Sequence, residues 1–153
     1  MHVDQDFVEI LSELREAEAE FLVVGAHALA AHGLPRATGD FDLWVRPSRE
    51  NAARVYRALA RYGAPLDRIT EADFASPDVV FQIGVEPLRI DVMTTISGVD
   101  FDDAWSRKIT ASLGGREVFV ISAIDLMRNK RATGREGDLL DLKRLERRFG
   151  HAT

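Results

Sequence analysis

Apolar residues recur at Phe7, Ile10, Leu11 and Leu14, the i, i+3, i+4, i+7 spacing of an amphipathic helix, with Asp4 or Asp6 placed to cap it. The run Phe21-Leu22-Val23-Val24 is too short for a helix and predicts a buried strand, and Gly25 then lets the chain turn into a small-residue helix over about 26–31. Gly33 and Pro35 stop that helix. The pattern switches to period two at Phe41, Leu43 and Val45, which predicts a strand with one apolar face. Pro47-Ser48 opens a helix running to Tyr62, with Gly63 as its stop. Residues 79–83 and 88–93 predict two strands around a turn at 84–87. A short helix near 101–107, a strand over 118–121 and two C-terminal helices parted near Gly134 complete the sequence. Neither a repeat nor a linker interrupts it, and one domain over residues 1–153 is expected.

Composition narrows the class. At 153 residues and 46% hydrophobic, the chain has enough apolar content for a true core, which excludes a disordered chain. No apolar run is long enough to cross a bilayer, and residues 1–6 lack a basic segment followed by an apolar one, so a membrane or secreted location is not expected. With no cysteine there is no disulfide or thiolate metal site, in keeping with a cytoplasmic protein. The net charge of −5 is uneven: from Met127 onward eight Lys/Arg oppose four Asp/Glu, a +4 tail on a −9 remainder. That tail suits a polyanion such as RNA or nucleotide phosphates; the plainer reading is a solvated helix face with internal ion pairs.

The chemistry lies in the strands. In Asp40-Phe41-Asp42-Leu43-Trp44-Val45 the odd positions enter a core, so Asp40 and Asp42 project together from the opposite side. Leu88, Ile90 and Val92 likewise leave Arg89, Asp91 and Met93 on one face. If the two strands are sheet neighbours, three carboxylates converge. Mutual repulsion disfavours such a cluster unless a cation neutralises it. Hard oxygen ligands suit Mg²⁺ or Mn²⁺ with water and substrate phosphate completing the shell, and a pair of such ions about 3.5–4 Å apart supports in-line phosphoryl displacement.

The order of a strand ending in Val23-Val24-Gly25-Ala26, then Asp40-x-Asp42, then a lone strand-borne Asp91 resembles the DNA polymerase β-type nucleotidyltransferase superfamily. Two further segments, residues 33–40 and 129–142 (Asn129-Lys130-Arg131-Ala132-Thr133-Gly134 through Asp138 to Leu142), resemble its small bacterial branch that includes AbiEii-like toxins. The likeness spans roughly residues 21–145. It implies an α/β (α+β) fold with a short, mixed, twisted sheet that carries the site on one side and helices on the other. The activity implied is metal-dependent transfer of an NMP from an NTP such as ATP to a hydroxyl, with release of pyrophosphate. Asp40 and Asp42 would ligate the metals, Asp91 would complete the site and help deprotonate the acceptor, and Gly25 and Ala26 would cradle the triphosphate. Arg36, Thr38 and Lys130 are the phosphate-contact candidates. The acceptor implied is tRNA, a protein side chain or a small molecule, and a toxin role would bring a cognate antitoxin as partner.

Two other classes use the same residues. Ala26, where the family has Gly or Ser, suits a non-catalytic binding or antitoxin-like module, and a nuclease or phosphohydrolase would direct the carboxylates at water. Among nearby groups, Asp100, Asp102 and Asp103 look like a helix cap with first-turn acids, and His27 and His32 read as space-filling or solvent-facing. Trp44 is placed to stack on a base or to pack beneath a neighbouring element. Lys130 reads equally as a last-turn lysine against a helix C-terminus, with Asp138 capping the next helix.

Overall fold

The side chain of Asp4 accepts a hydrogen bond from the Asp6 amide (2.9 Å) and opens helix α1, Gln5–Glu16, whose buried stripe is Phe7, Ile10, Leu11 and Leu14. The computed structural model describes residues 4–36, 39–85 and 87–151. Strand β1 (Phe21–Val24) is buried along its whole length, and Gly25, at φ +71°, turns it directly into α2 (Gly25–Ala31). Strand β2 (Asp40–Val45) leads to α3 (Arg49–Tyr62), capped by Ser48 and closed by a left-handed Gly63. Buried Asn51 ties the start of α3 to the chain entering β1. Its amide nitrogen donates to the Glu20 (2.9 Å) and Arg46 (3.0 Å) carbonyls, and its side-chain oxygen accepts from the Glu20 N–H (2.6 Å).

A 3₁₀ turn at Glu71–Ala75, held by a Thr70–Asp73 capping box, precedes the hairpin of β3 (Val80–Val85) and β4 (Leu88–Met93). Asp100 caps α4 (Phe101–Arg107) through the Asp102 amide, so that acidic cluster is a helix start. Strands β5 (Ile109–Leu113) and β6 (Arg116–Val120) follow, then α5 (Ala123–Thr133) and α6 (Glu136–Phe149), parted by left-handed Gly134. Strand β5 and the 3₁₀ turn are absent from the sequence reading; the other helices and strands fall where the pattern puts them, within a few residues.

The six strands form one mixed sheet in the order β3-β4-β2-β1-β6-β5. The pairs β2–β4 and β1–β6 are parallel, and the rest are antiparallel. Helices α1 and α2 cover the face of Phe41, which stacks on Phe7 (centroids 4.6 Å apart) and meets His27 edge-on at 4.8 Å. The other face is covered only in part. There α4 sets Phe101 edge-on against Trp44 (5.0 Å), so Trp44 is core at 1% exposure and donates from Nε1 to the Thr94 carbonyl (3.2 Å). The half of that face nearer Asp40 stays open. Among the described residues no helix is long and apolar enough to cross a membrane.

Candidate active site

The β2–β4 register decides which polar side chains meet. Asp40 lies opposite Arg89 and Asp42 opposite Asp91, and because the strands are parallel and in step, all four side chains leave the same face. The three carboxylates of the sequence reading are therefore neighbours. Asp91, only 8% exposed, is the most enclosed of them. Arg89 binds the group together: its Nε donates to Asp91 Oδ1 (3.0 Å), and its Nη2 donates to Asp91 Oδ2 (3.3 Å) and Asp40 Oδ2 (3.2 Å).

The glycine turn fits against this patch. The pairing of Val24 with Asp42 sets Gly25 beside the Asp42 carboxylate, and a Cβ built on Gly25 would lie 2.2 Å from Asp42 Oδ2. No residue with a side chain fits there without displacing Asp42, and the positive φ asks for glycine independently. Gly39 answers a second close approach, since its Cβ would collide with the Pro87 carbonyl of the β3–β4 turn. Burial, then the neighbouring Asp91 and Asp40 charges, push the Asp42 carboxyl up to about 6, against an opposing pull from Arg89 and Lys130.

A cleft of about 900 Å³ opens over these residues. Its floor is Gly25, Ala26, Asp40, Asp42, Arg89 and Asp91; α5 and α6 form one wall, and Asp78, Val80, Met93 and residues 95–97 form the other. Arg36 stands at the rim, ion-paired with Asp141. Thr38 lies outside the described residues. Lys130 lines the cleft but is 6% exposed, its ammonium held by Asp138 Oδ1 (2.8 Å) and Asp141 Oδ2 (3.2 Å). Asp138 also accepts from Thr133 Oγ1 (2.6 Å) and Arg135 Nε (2.8 Å). Burial works to raise the Asp138 carboxyl, but the bonds from Lys130, Thr133 and Arg135 outweigh it and hold it at about 2. Lys130 thus clamps α5 to α6, and Asp138 is its partner within the clamp.

Several expectations resolve into structure. Within the basic tail Arg128, Lys130, Arg131 and Arg135 form ion pairs with acidic side chains of the chain, which for these four agrees with the plainer of its two readings. His27 is wedged between Phe7 and Phe41 with Nδ1 buried and unpartnered; burial lowers its pKa, opposed by a hydrogen bond to the Asp40 backbone, so it stays neutral. His32 meets the Ile121 carbonyl (2.8 Å) at the other end of α2. Arg89 is the residue the sequence reading passes over, although Arg-x-Asp on one strand already places both side chains on one face. Asp138, expected as a helix cap, lies instead inside the first turn of α6, and Asp141, within the 129–142 segment, joins it from the next turn.

The donor set suits a hard divalent cation in kind: three carboxylates on one face of the sheet, lining a polar cleft. Among the described residues, however, no three acidic or histidine side chains stand as a ready-made metal cage. Two of the three carboxylates are drawn to Arg89 instead.

The family model "Nucleotidyl transferase of unknown function (DUF2204)" matches residues 3–152. The fold is similar to that of the lincosamide antibiotic adenylyltransferase LnuA, solved with lincomycin bound. That likeness has a TM-score of 0.59 and 12% identity, over 94% of this chain and 96% of that one. It is also similar to a candidate nucleotidyltransferase from Thermotoga maritima, with a TM-score of 0.56 and 15% identity, over 95% and 94% of the two chains. No curated protein matches.

Proposed function

This chain belongs to the nucleotidyl transferase family DUF2204, and from that premise we propose that it uses Asp40, Asp42 and Asp91 to move an NMP from an NTP to an acceptor hydroxyl. The observation that carries this reading is the in-register pairing of Asp42 with Asp91, beside a glycine turn that only a residue without a side chain can make. The acceptor oxygen bonds to the α-phosphorus, the α–β phosphoanhydride bond breaks, and pyrophosphate leaves. The acceptor proton passes to the carboxylate patch, where Asp91 is the proposed base. In this reading Asp40, Asp42 and Asp91 hold Mg²⁺ or Mn²⁺, which when bound supplies Lewis-acid stabilisation of phosphoryl oxygens.

The rest of the work falls to this chain's own groups. Gly25 and Ala26 offer backbone N–H groups to the phosphates at the start of α2, and Arg36 contacts the triphosphate from the rim, with Thr38 kept as a phosphate-contact candidate on its sequence position alone. Lys130 acts at one remove. Held by Asp138 and Asp141, it fixes the α5–α6 wall and lends positive potential to Asp42.

Two acceptor readings rest on different observations. The AbiEii-like segment 129–142 supports a cytoplasmic toxin that acts on tRNA or protein and is restrained by a cognate antitoxin. The pairing of Arg36, Lys130 and Arg135 with carboxylates, and the Asp78, Val80 and Met93 wall without a cation, support a compact neutral or cationic acceptor, the kind of molecule that LnuA is named for. The geometry favours the second. Incubation with each α-labelled NTP and Mg²⁺, with tRNA or lincomycin as acceptor, tests both by the mass of the product. A gain of one NMP on the acceptor supports transfer, whereas release of free NMP alone would mark a hydrolase.

A further inference from the structure

Arg89 occupies the oxygens that the proposed metal site needs. It engages both oxygens of Asp91 and one of Asp40 with a single planar guanidinium, from a strand position directly opposite Asp40. Its side chain is 28% exposed and that of Asp91 11%, both line the cleft, and both oxygens of Asp91 already accept from the guanidinium. A guanidinium stays charged at any accessible pH, and its forked geometry matches carboxylates well. It therefore gives Asp40 and Asp91 a cationic partner without an ion. A divalent cation approaching Asp91 from the cleft meets N–H groups where it needs lone pairs.

We propose that Arg89 is a built-in counter-ion that competes with the divalent cation for Asp40 and Asp91, so that loading the site requires the guanidinium to swing off and metal affinity is set by that displacement. This rests on the reading of Asp40, Asp42 and Asp91 as metal ligands. The displaced cation remains in the cleft, where an incoming triphosphate gives it a new anionic partner. Nucleotide and metal should accordingly strengthen each other's binding.

Mn²⁺ binding measured by calorimetry on the full chain, with thermal melting in EDTA as a second readout, tests this in Arg89→Gln, Arg89→Lys and Asp42→Asn. Arg89→Gln is expected to melt lower than wild type in EDTA, to bind Mn²⁺ about five-fold more tightly or better, and to regain its melting temperature when Mn²⁺ is added. Arg89→Lys, a point charge without the fork, is expected to fall between the two and carries the test if the glutamine variant does not fold. Mn²⁺ affinity that is unchanged or weaker in the folded Arg89 variants overturns the competitor role. If Asp42→Asn loses Mn²⁺ binding while the Arg89 variants bind as wild type does, the metal reading stands and this inference alone fails. If Asp42→Asn binds Mn²⁺ as wild type does, the metal reading falls and takes this inference with it.

Discussion

Asp42 and Asp91 face each other across two parallel strands, one residue directly opposite the other. Burial, and after it the facing Asp91 charge and that of Asp40, disfavours the ionised form of Asp42, which is pushed up to about 6. The native state therefore holds this proton more tightly than the unfolded chain, whose value is 3.8. Stability is lost as pH rises from about 4 through 6, and the penalty is complete above that. In metal-free protein at pH 8, Asp42→Asn should raise stability by about 1–3 kcal/mol, and the gain should vanish near pH 4. Denaturant melts at both pH values check this; a variant no more stable than wild type at pH 8 contradicts it. The same proton competes with a bound cation, so divalent affinity should fall as pH drops through 6.

Gly25→Ala should lower stability by about 1–3 kcal/mol, because it puts a Cβ at positive φ and against the Asp42 carboxylate. Nucleotide transfer should fall with it. Thermal melting paired with a transfer assay distinguishes this from a harmless change, in which both stay at wild-type values.

Asp138→Ala should cost about 3 kcal/mol or more, since it strips a buried ammonium of its shorter ion pair and frees Thr133 and Arg135. With the Asp138 carboxyl held at about 2, its contribution is complete above the usual carboxylate range and is lost as pH falls from about 4 through 2. Urea titrations of wild type and variant should thus converge in acid; parallel curves down to pH 2 would count against the clamp.

His27, buried between two phenylalanine rings, should titrate below the ordinary histidine value of 6.5 and play no part in proton transfer. Two-dimensional NMR of the imidazole checks the first point. A His27→Gln variant that folds yet alters the pH profile of transfer between pH 6 and 8 would contradict the second.

Strand alternation made Asp40, Asp42 and Asp91 legible, because a period of two assigns faces from local sequence alone. The break after Val24 was legible for a similar reason, glycine being needed exactly where a buried strand turns. What escaped depends on partners distant in sequence. Arg89 shares a strand with Asp91, but its bridge to Asp40 exists only in the β2–β4 register. Lys130 reads as a helix-end lysine until α6 folds back and brings Asp138 and Asp141 to it. Trp44 follows the carboxylates by alternation, yet α4 covers that end of the sheet. Strand β5 escaped through weak alternation in Ile-Thr-Ala-Ser-Leu, although Gly114-Gly115, both at positive φ, is a two-residue hairpin signal.

The most direct test follows transfer of label from an α-³²P NTP in the presence of Mg²⁺ for wild type, Asp42→Asn and Asp91→Asn, each shown to be folded by circular dichroism. Wild type should label an acceptor, and each variant should lose at least about 100-fold in rate. Undiminished transfer in either folded variant would contradict the assignment of the paired carboxylates as the reaction centre.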